Sequence, residues 1–450
     1  MNPKRFTLRK EYFGGVLHDA MSVSCDVLTP EDFEFLRGLD ARGIPEEEFV
    51  SRSPQLQAKA GTWKQKGAIA VEDGVVVLAG TRLIPQPDRI PEGCLTAPLR
   101  VYDTYTRKCN LRCKQCCVAS SADFNEKRRT IGQTEAIMRK FYEAGMMEWR
   151  FTGGEPTSCP DLLDAIAIAR GFGMSVMLNT NGCWDGNMLR EIPEAGISEI
   201  IISIEGTEEI NDRRRAPGVF RHIMEAIERI GQHNHDHPEK KVRTTLNMTI
   251  AGDNANAVEF VVRLGARHGC NVNFVPLRPY GRTVTGLQKE MLSTRGFMEF
   301  SREVQRLRED AEILASGIRI IHRNMDLFCP DYPDKRAEPY PFKYSACGAL
   351  STGFGLRPDG LVNACSFLMD EPDFQGPNMI EASVQEAWLH PKMERIRRAV
   401  KTGCTGCRFY MRQCEGKCVA MVLANGGKIE NGRLRGRDPY CFAPLMPGRR

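Results

Sequence analysis

No run of about 18 apolar residues occurs in the chain, so no membrane-spanning helix is expected. No charged-then-apolar leader is visible at the N-terminus either, so no export is expected. Charge of one sign is scarce: 62 Lys and Arg face 57 Asp and Glu, a surplus of +5 without a long basic run, which argues against a nucleic-acid partner. Internal repeats and low-complexity tracts are missing. At 42% hydrophobic and 26% charged residues the composition is close to soluble globular averages, which excludes disordered, fibrous and membrane classes. A folded cytoplasmic protein is expected, and 450 residues imply two or three domains.

What the chain has in excess is cysteine, 17 in all. A reducing compartment gives disulfides little use, so clustered thiols there bind metal or do chemistry. Ten fall into two groups. The other seven (Cys25, Cys94, Cys117, Cys159, Cys183, Cys270 and Cys329) are scattered and are expected to serve as small apolar residues.

Residues 1–90 read as a small α+β unit. Phe6-Thr7-Leu8-Arg9 and Gly15-Val16-Leu17-His18-Asp19 flank a Gly14-Gly15 turn, a helix starts at Thr29-Pro30-Glu31-Asp32, and Asp73-Gly74 turns a second hairpin. The proline-rich stretch Ile84 to Pro91 is a linker. Over residues 97–325, β-branched runs alternate with amphipathic helices, the pattern of a parallel sheet with helical crossovers. Strands are predicted at 99–105, 148–152, 175–179, 199–204, 242–250 and 271–275, and helices at 134–144, 162–170, 220–233 and 255–268, with Gly145, Gly171 and Gly269 ending three of them. Six such strands give an α/β fold, a curled (β/α)6 sheet or partial barrel, with its chemistry beyond the C-terminal strand ends. Residues 326–450 are rich in cysteine and glycine, as expected of a unit held together by clusters.

Directly after the first of these strands stands Cys109-x3-Cys113-x2-Cys116. Three thiolates on one loop can bind three irons of a 4Fe-4S cluster and leave the fourth open to a small molecule. A zinc loop needs four protein ligands, and Cys117, adjacent to Cys116, is poorly placed to be one. With these residues the chain resembles the radical S-adenosylmethionine (SAM) superfamily. The next strand ends in Gly153-Gly154-Glu155-Pro156, similar to the family's GGEP motif, whose backbone and Glu carboxylate are implied to hold the cofactor's amino group. Asn179 at the following strand end is a further candidate cofactor contact, although Asn181-Gly182 alone would be a plain turn, and Ser203 and Glu205 in Ser203-Ile204-Glu205-Gly206 resemble the family's segment near the cofactor ribose and carboxylate. Arg215, of Arg213-Arg214-Arg215, matches an arginine that pairs with that carboxylate. Met177 and Asn247 are expected in core or ladder roles, and no acid–base residue is identified.

The second group, Cys347, Cys365, Cys404, Cys407, Cys414, Cys418 and Cys441, resembles the SPASM extension of peptide-modifying members, with one extra residue between Cys407 and Cys414. That resemblance implies two auxiliary 4Fe-4S clusters, three in total. Cys404, Cys407, Cys414 and Cys441 would close one, and Cys347, Cys365 and Cys418 the other, with Cys329 a candidate fourth ligand. A zinc ribbon over Cys404 to Cys418 is the alternative. The opening segment Phe6 to Asp19 resembles a winged-helix-like peptide-recognition domain, which adds a leader peptide to its sheet edge. The expected function is a maturase that takes hydrogen from a ribosomally made precursor peptide through a 5′-deoxyadenosyl radical and installs a carbon-carbon or thioether crosslink. A flavodoxin or ferredoxin-type donor would supply electrons. The alternative is a dehydrogenase acting on a protein side chain or a small molecule.

Overall fold

The structure is a computed structural model. It describes residues 4–21, 24–41, 43–87, 90–91, 93–285, 288–322, 349–410, 414, 416–441 and 443–445. Cys329 and Cys347 lie outside the described residues.

The N-terminal unit opens on the predicted hairpin, β1 (Phe6–Glu11) and β2 (Gly14–Asp19), in register from Phe6 with Asp19 to Glu11 with Gly14. Strand β3 (Ser24–Leu28) pairs with β2 and forms one edge of the sheet. The helix Pro30–Ala41 starts where Thr29 Oγ1 accepts from the Asp32 amide and the Asp32 carboxylate accepts from the Thr29 amide. The helix Pro54–Lys66, capped by Ser53, is a further element. Strands β4 (Ile44–Pro45), β5 (Ile69–Glu72) and β6 (Val75–Leu78) make a small second sheet, and β7 (Thr81–Leu83) runs parallel to β1 on the edge opposite β3. A core of its own, including Phe6, Phe33, Leu36 and Trp63, fills the unit.

The predicted strands appear as β8 (Arg100–Thr106), β9 (Glu148–Gly153), β10 (Ser175–Thr180), β11 (Glu199–Ser203), β12 (Arg243–Ile250) and β13 (Asn271–Pro276), all parallel. The sheet does not stop at six strands. β14 (Ile320–His322) extends it past β13. On the other side β15 (Gly353–Leu356) pairs in parallel with β8, followed by β16 (Leu361–Asn363) and β17 (Gln375–Asn378), both antiparallel. The result is ten strands in the order β14-β13-β12-β11-β10-β9-β8-β15-β16-β17. Strands β18 (Val400–Lys401), β19 (Lys428–Glu430) and β20 (Arg433–Arg435) form a separate sheet near the C-terminus.

Alternation along the parallel strands sorts residues between two faces. Trp149, Phe151, Val176, Leu178, Ile200, Ile202, Leu246 and Met248 join one large core. The opposite face carries Arg150, Asn179, Ser203, Asn247 and Asn273, so the inside of the curl is polar. Asn247 is therefore not a core residue: it sits level with Ser203 and accepts from Asn273 Nδ2. The helix predicted from 134 begins three residues earlier, at Ile131, because Thr130 and Gln133 form a capping box. The left-handed residue after the helix Leu162–Gly171 is Gly173, not Gly171.

Candidate active site

The loop after β8 has no regular structure of its own and is held from outside. Glu126 accepts from Thr106 Oγ1 and the Arg107 amide at 2.6 and 2.7 Å, and Ser121 O accepts from the Cys109 amide at 3.1 Å. Arg282, in the turn after β13, is the strongest clamp. Its Nε donates to Cys113 O at 2.9 Å, its Nη2 to Ser120 O at 2.6 Å, and its amide to Cys116 O at 3.0 Å. Gly281, at φ +60°, lies so close that an added Cβ would meet Cys116 O at 2.5 Å. No motif announced either residue.

Each triad sulfur faces a donor. Cys109 Sγ accepts from the Leu111 amide at 3.4 Å and from Asn181 Nδ2 at 3.8 Å, Cys116 Sγ from the Ser120 amide at 3.4 Å, and Arg215 Nη1 stands 4.0 Å from Cys113 Sγ. Hydrogen bonds to the sulfurs are how proteins tune bound iron-sulfur clusters, so this donor set fits one. Burial pushes the Cys109 thiol up to about 12 and also raises Cys113, against the opposing charge of Arg215. Iron would therefore displace protons on binding. Among the described residues no three Cys, His, Asp or Glu side chains close round a point as for a single metal ion.

The Gly-Gly of the second motif packs on this loop rather than standing clear for a ligand. The Gly154 and Glu155 amides donate to Thr106 O and Lys108 O at 2.7 and 2.8 Å, and a Cβ on Gly154 would meet Lys108 O at 2.0 Å. Pro156 is buried and opens a short 3-10 turn. The Glu155 carboxylate, expected to hold the cofactor's amino group, is met by protein donors on both oxygens. Glu155 is fully buried; Oε1 accepts from the Thr157 amide and hydroxyl and from Thr180 Oγ1, and Oε2 accepts from the Asn181 amide. It ties the ends of β9 and β10 together, and burial raises its carboxyl despite those donors.

Of the three arginines, Arg213 is half-exposed beside Glu209, while Arg214 and Arg215 both turn inward. Arg214 pairs with Asp253 and takes the Lys114 amide on its carbonyl. Arg215 Nη2 donates to Glu205 Oε1 at 2.6 Å, which links β11's end to Cys113. Asn179 Oδ1, Glu205 Oε2 and Arg215 Nε are buried without a hydrogen bond. Such atoms cost about 1–3 kcal/mol each unless a ligand meets them, so the strand ends fit a polar cofactor. Ser203, at the end of β11, is half-buried at the same mouth.

The auxiliary thiols gather as a second locus. Cys404, Cys407, Cys414, Cys418 and Cys441 all line one cavity of about 190 Å³, with Arg278 and Tyr440. Cys418 was expected with the other cluster, yet it lies on this wall as well. Cys365 and Cys418 both bear electrostatically on Tyr280, whose hydroxyl donates to Ala420 O at 2.6 Å. Among the scattered cysteines, Cys94, Cys159 and Cys270 are buried, whereas Cys25, Cys117 and Cys183 are partly so. Cys183 lines a cleft beside Asn110, with Thr157, Trp184 and His222, that the sequence did not reveal.

Among the described residues no helix is long and apolar enough to cross a membrane. Residues 104–264 match the model of the Radical SAM superfamily. The chain is 24% identical over 372 residues to mycofactocin maturase MftC of Mycolicibacterium smegmatis, covering 80% of this chain and 86% of that one. It is 23% identical over 356 residues to PqqA peptide cyclase of Gluconobacter oxydans, covering 76% and 90%. SuiB of Streptococcus suis, solved with S-adenosylmethionine, superposes over 97% of this chain and 99% of its own at a TM-score of 0.68 and 15% identity. That cover takes in the N-terminal unit, and at this identity it speaks for the fold. The thiol loop and the ends of β9, β10 and β11 lie inside the matched segment, so residues 104–264 are a radical SAM domain.

Proposed function

We propose that the protein is a radical SAM maturase that binds a ribosomally made precursor peptide by its leader and crosslinks it, by a carbon-carbon or thioether bond. The observation that carries this reading is the conjunction of three loci on one chain: the triad loop, the auxiliary thiols and an N-terminal unit with an edge strand. The relatives agree: one is named a peptide cyclase, another a maturase, and SuiB has also been solved bound to its precursor peptide SuiA.

When bound, a 4Fe-4S cluster and S-adenosylmethionine supply a 5′-deoxyadenosyl radical that takes a substrate hydrogen. Cys109, Cys113 and Cys116 would hold that cluster, and Arg282 holds their loop. Asn179, Ser203, Glu205 and Arg215 would orient the cofactor, and the polar inner face shields the reacting position from bulk water. Cys404, Cys407, Cys414 and Cys441 would hold one auxiliary cluster, and Cys365 and Cys418, with Cys347, a second, which makes three. The leader would add to β3, the edge of the N-terminal sheet, where Lys66 pairs with Asp26 at 2.7 Å across to the neighbouring helix. A flavodoxin or ferredoxin-type protein would exchange electrons with the enzyme.

The test is anaerobic incubation of reconstituted enzyme with a candidate precursor peptide, S-adenosylmethionine and dithionite, followed by mass spectrometry. A loss of two hydrogen masses with deoxyadenosine formation is expected. Deoxyadenosine in the Cys109→Ala/Cys113→Ala/Cys116→Ala variant would overturn the assignment.

A further inference from the structure

The charge of this chain is not spread evenly. Between Lys401 and Cys441 stand eight Lys and Arg against three Asp and Glu, an excess equal to the +5 of the whole chain. One of the three acids, Asp438, is turned inward, where its carboxylate accepts from the Cys418 and Tyr440 amides. Another, Glu430, is taken by Lys428 at 3.0 Å.

One of the basic residues lines the thiol cavity, and others stand next to its wall in the chain. Lys417 lines it and donates to Gly436 O at 2.5 Å. Arg433 and Arg435 lie on β20, which pairs with β18 so that Lys401 stands level with Leu434. Arg408 follows Cys407, Arg437 precedes Asp438 of the cavity wall, and Arg408, Arg433, Arg435 and Arg437 are exposed. The loop carrying Cys404 and Cys407 is itself bare on its outer side: a Cβ on Gly403 or Gly406 would meet nothing within 4 Å. A macromolecule that covers this loop, with Cys404 buried and Cys407 partly exposed beneath it, would meet positive charge.

We propose that this basic face is the docking surface for an acidic one-electron carrier protein of the flavodoxin or ferredoxin class. The inference rests on the reading that Cys404, Cys407, Cys414 and Cys441 hold an iron-sulfur cluster. The step exchanges one electron without making or breaking a bond: the reduced carrier would lose it, the cluster held at this cavity would gain it and would pass it on to the cluster held by the triad, where S-adenosylmethionine is cleaved. A surface of one sign steers an oppositely charged partner and fixes its register.

The experiment uses anaerobically reconstituted full-length enzyme and a purified acidic flavodoxin. Binding is read by biolayer interferometry at low and high salt, and S-adenosylmethionine cleavage is driven either by the reduced flavodoxin or by dithionite. Arg433→Glu/Arg437→Glu is compared with Arg221→Glu/Arg267→Glu, which changes the charge equally on outer helices of the barrel. The first pair should cut flavodoxin association at low salt roughly tenfold or more, lower flavodoxin-driven cleavage in step, and leave the dithionite-driven rate and iron content as they were. Where iron content falls, Arg433→Gln/Arg437→Gln should give an intermediate loss of association. Equal losses in both pairs, an unchanged association rate, or weaker binding of the precursor peptide in place of the flavodoxin would each overturn the proposal. Loss of all dithionite-driven cleavage in the parent enzyme would instead overturn the functional reading beneath it.

Discussion

Arg9 and Glu11, two residues apart on β1, pair at 2.7 Å with side-chain exposures of 2% and 0%, and they do so at the seam between the N-terminal unit and the barrel. Arg9 also donates to Pro98 O, Gly145 O and Ala97 O, and Glu11 accepts from the Thr96 amide at 2.7 Å. The N-terminal unit is therefore bolted to the barrel rather than hung from a flexible linker. Arg9→Ala should cost about 3–5 kcal/mol in urea unfolding, because it strands a buried carboxylate, while Arg9→Met/Glu11→Leu should recover much of the loss. For the same reason, deleting residues 1–90 is a poor test of leader binding; substitutions on β3 are the sound one.

Glu155 and Glu205 should separate cleanly. In Glu155→Gln the new amide NH2 faces a backbone N–H whichever way it turns, that of Thr157 or that of Asn181. Stability should fall by about 1–3 kcal/mol, with a modest change in S-adenosylmethionine affinity. Glu205→Gln weakens the partner of Arg215 instead, so equilibrium dialysis should show a larger loss of affinity with a smaller loss of stability. The reverse ranking would make Glu155 rather than Glu205 the cofactor's direct contact.

Arg282→Lys keeps the charge but cannot fork between Cys113 O and Ser120 O. The cluster proposed on the triad should then form at lower occupancy, and its electron paramagnetic resonance signal should shift while the signals of the proposed auxiliary clusters stay fixed. Arg282→Ala should exceed it in both respects. Spectra and iron content identical to the parent's would show that the clamp does not position the loop.

His18 and His322 are buried, and desolvation lowers them from 6.5 to about 4 and about 3. Near His18 stand Glu148 and Asp19, which favour its protonation, and Arg100, which opposes it; near His322, Arg308 opposes it. Both are neutral when folded at pH 7, and the unfolded chain takes up protons first as pH falls. Their contribution is thus fully present above about 6.5 and is lost as pH falls toward 4. His18→Gln should flatten the dependence of the melting temperature on pH between 6.5 and 4 relative to the parent. An equal slope in both proteins would remove His18 as a cause.

Much of this was legible in the sequence because it is local. Alternating β-branched runs, the Thr29-Pro30 start and the Cys109 spacing each declare themselves within a few residues. What stayed hidden shares a cause. The donors that meet the Glu155 carboxylate, Thr180 and Asn181, come from the next strand's end. Gly281 and Arg282 carry no motif, and only the fold brings them against Cys113 and Cys116. β15 is four residues whose parallel partner lies some 250 positions earlier, beyond the reach of any periodicity.

That last pairing also bears on how the protein is made. Strand β8, which leads into the triad loop, has β9 on one side, but its other edge stays bare until Gly353–Leu356 has been synthesised. Long-range parallel pairing is slow, and an unpaired edge invites association with other chains. For most of its synthesis the nascent chain therefore carries an uncovered edge beside the triad thiols, so cluster loading before the C-terminal third emerges would meet a half-built site. Chaperone demand and iron insertion should both concentrate at the end of translation.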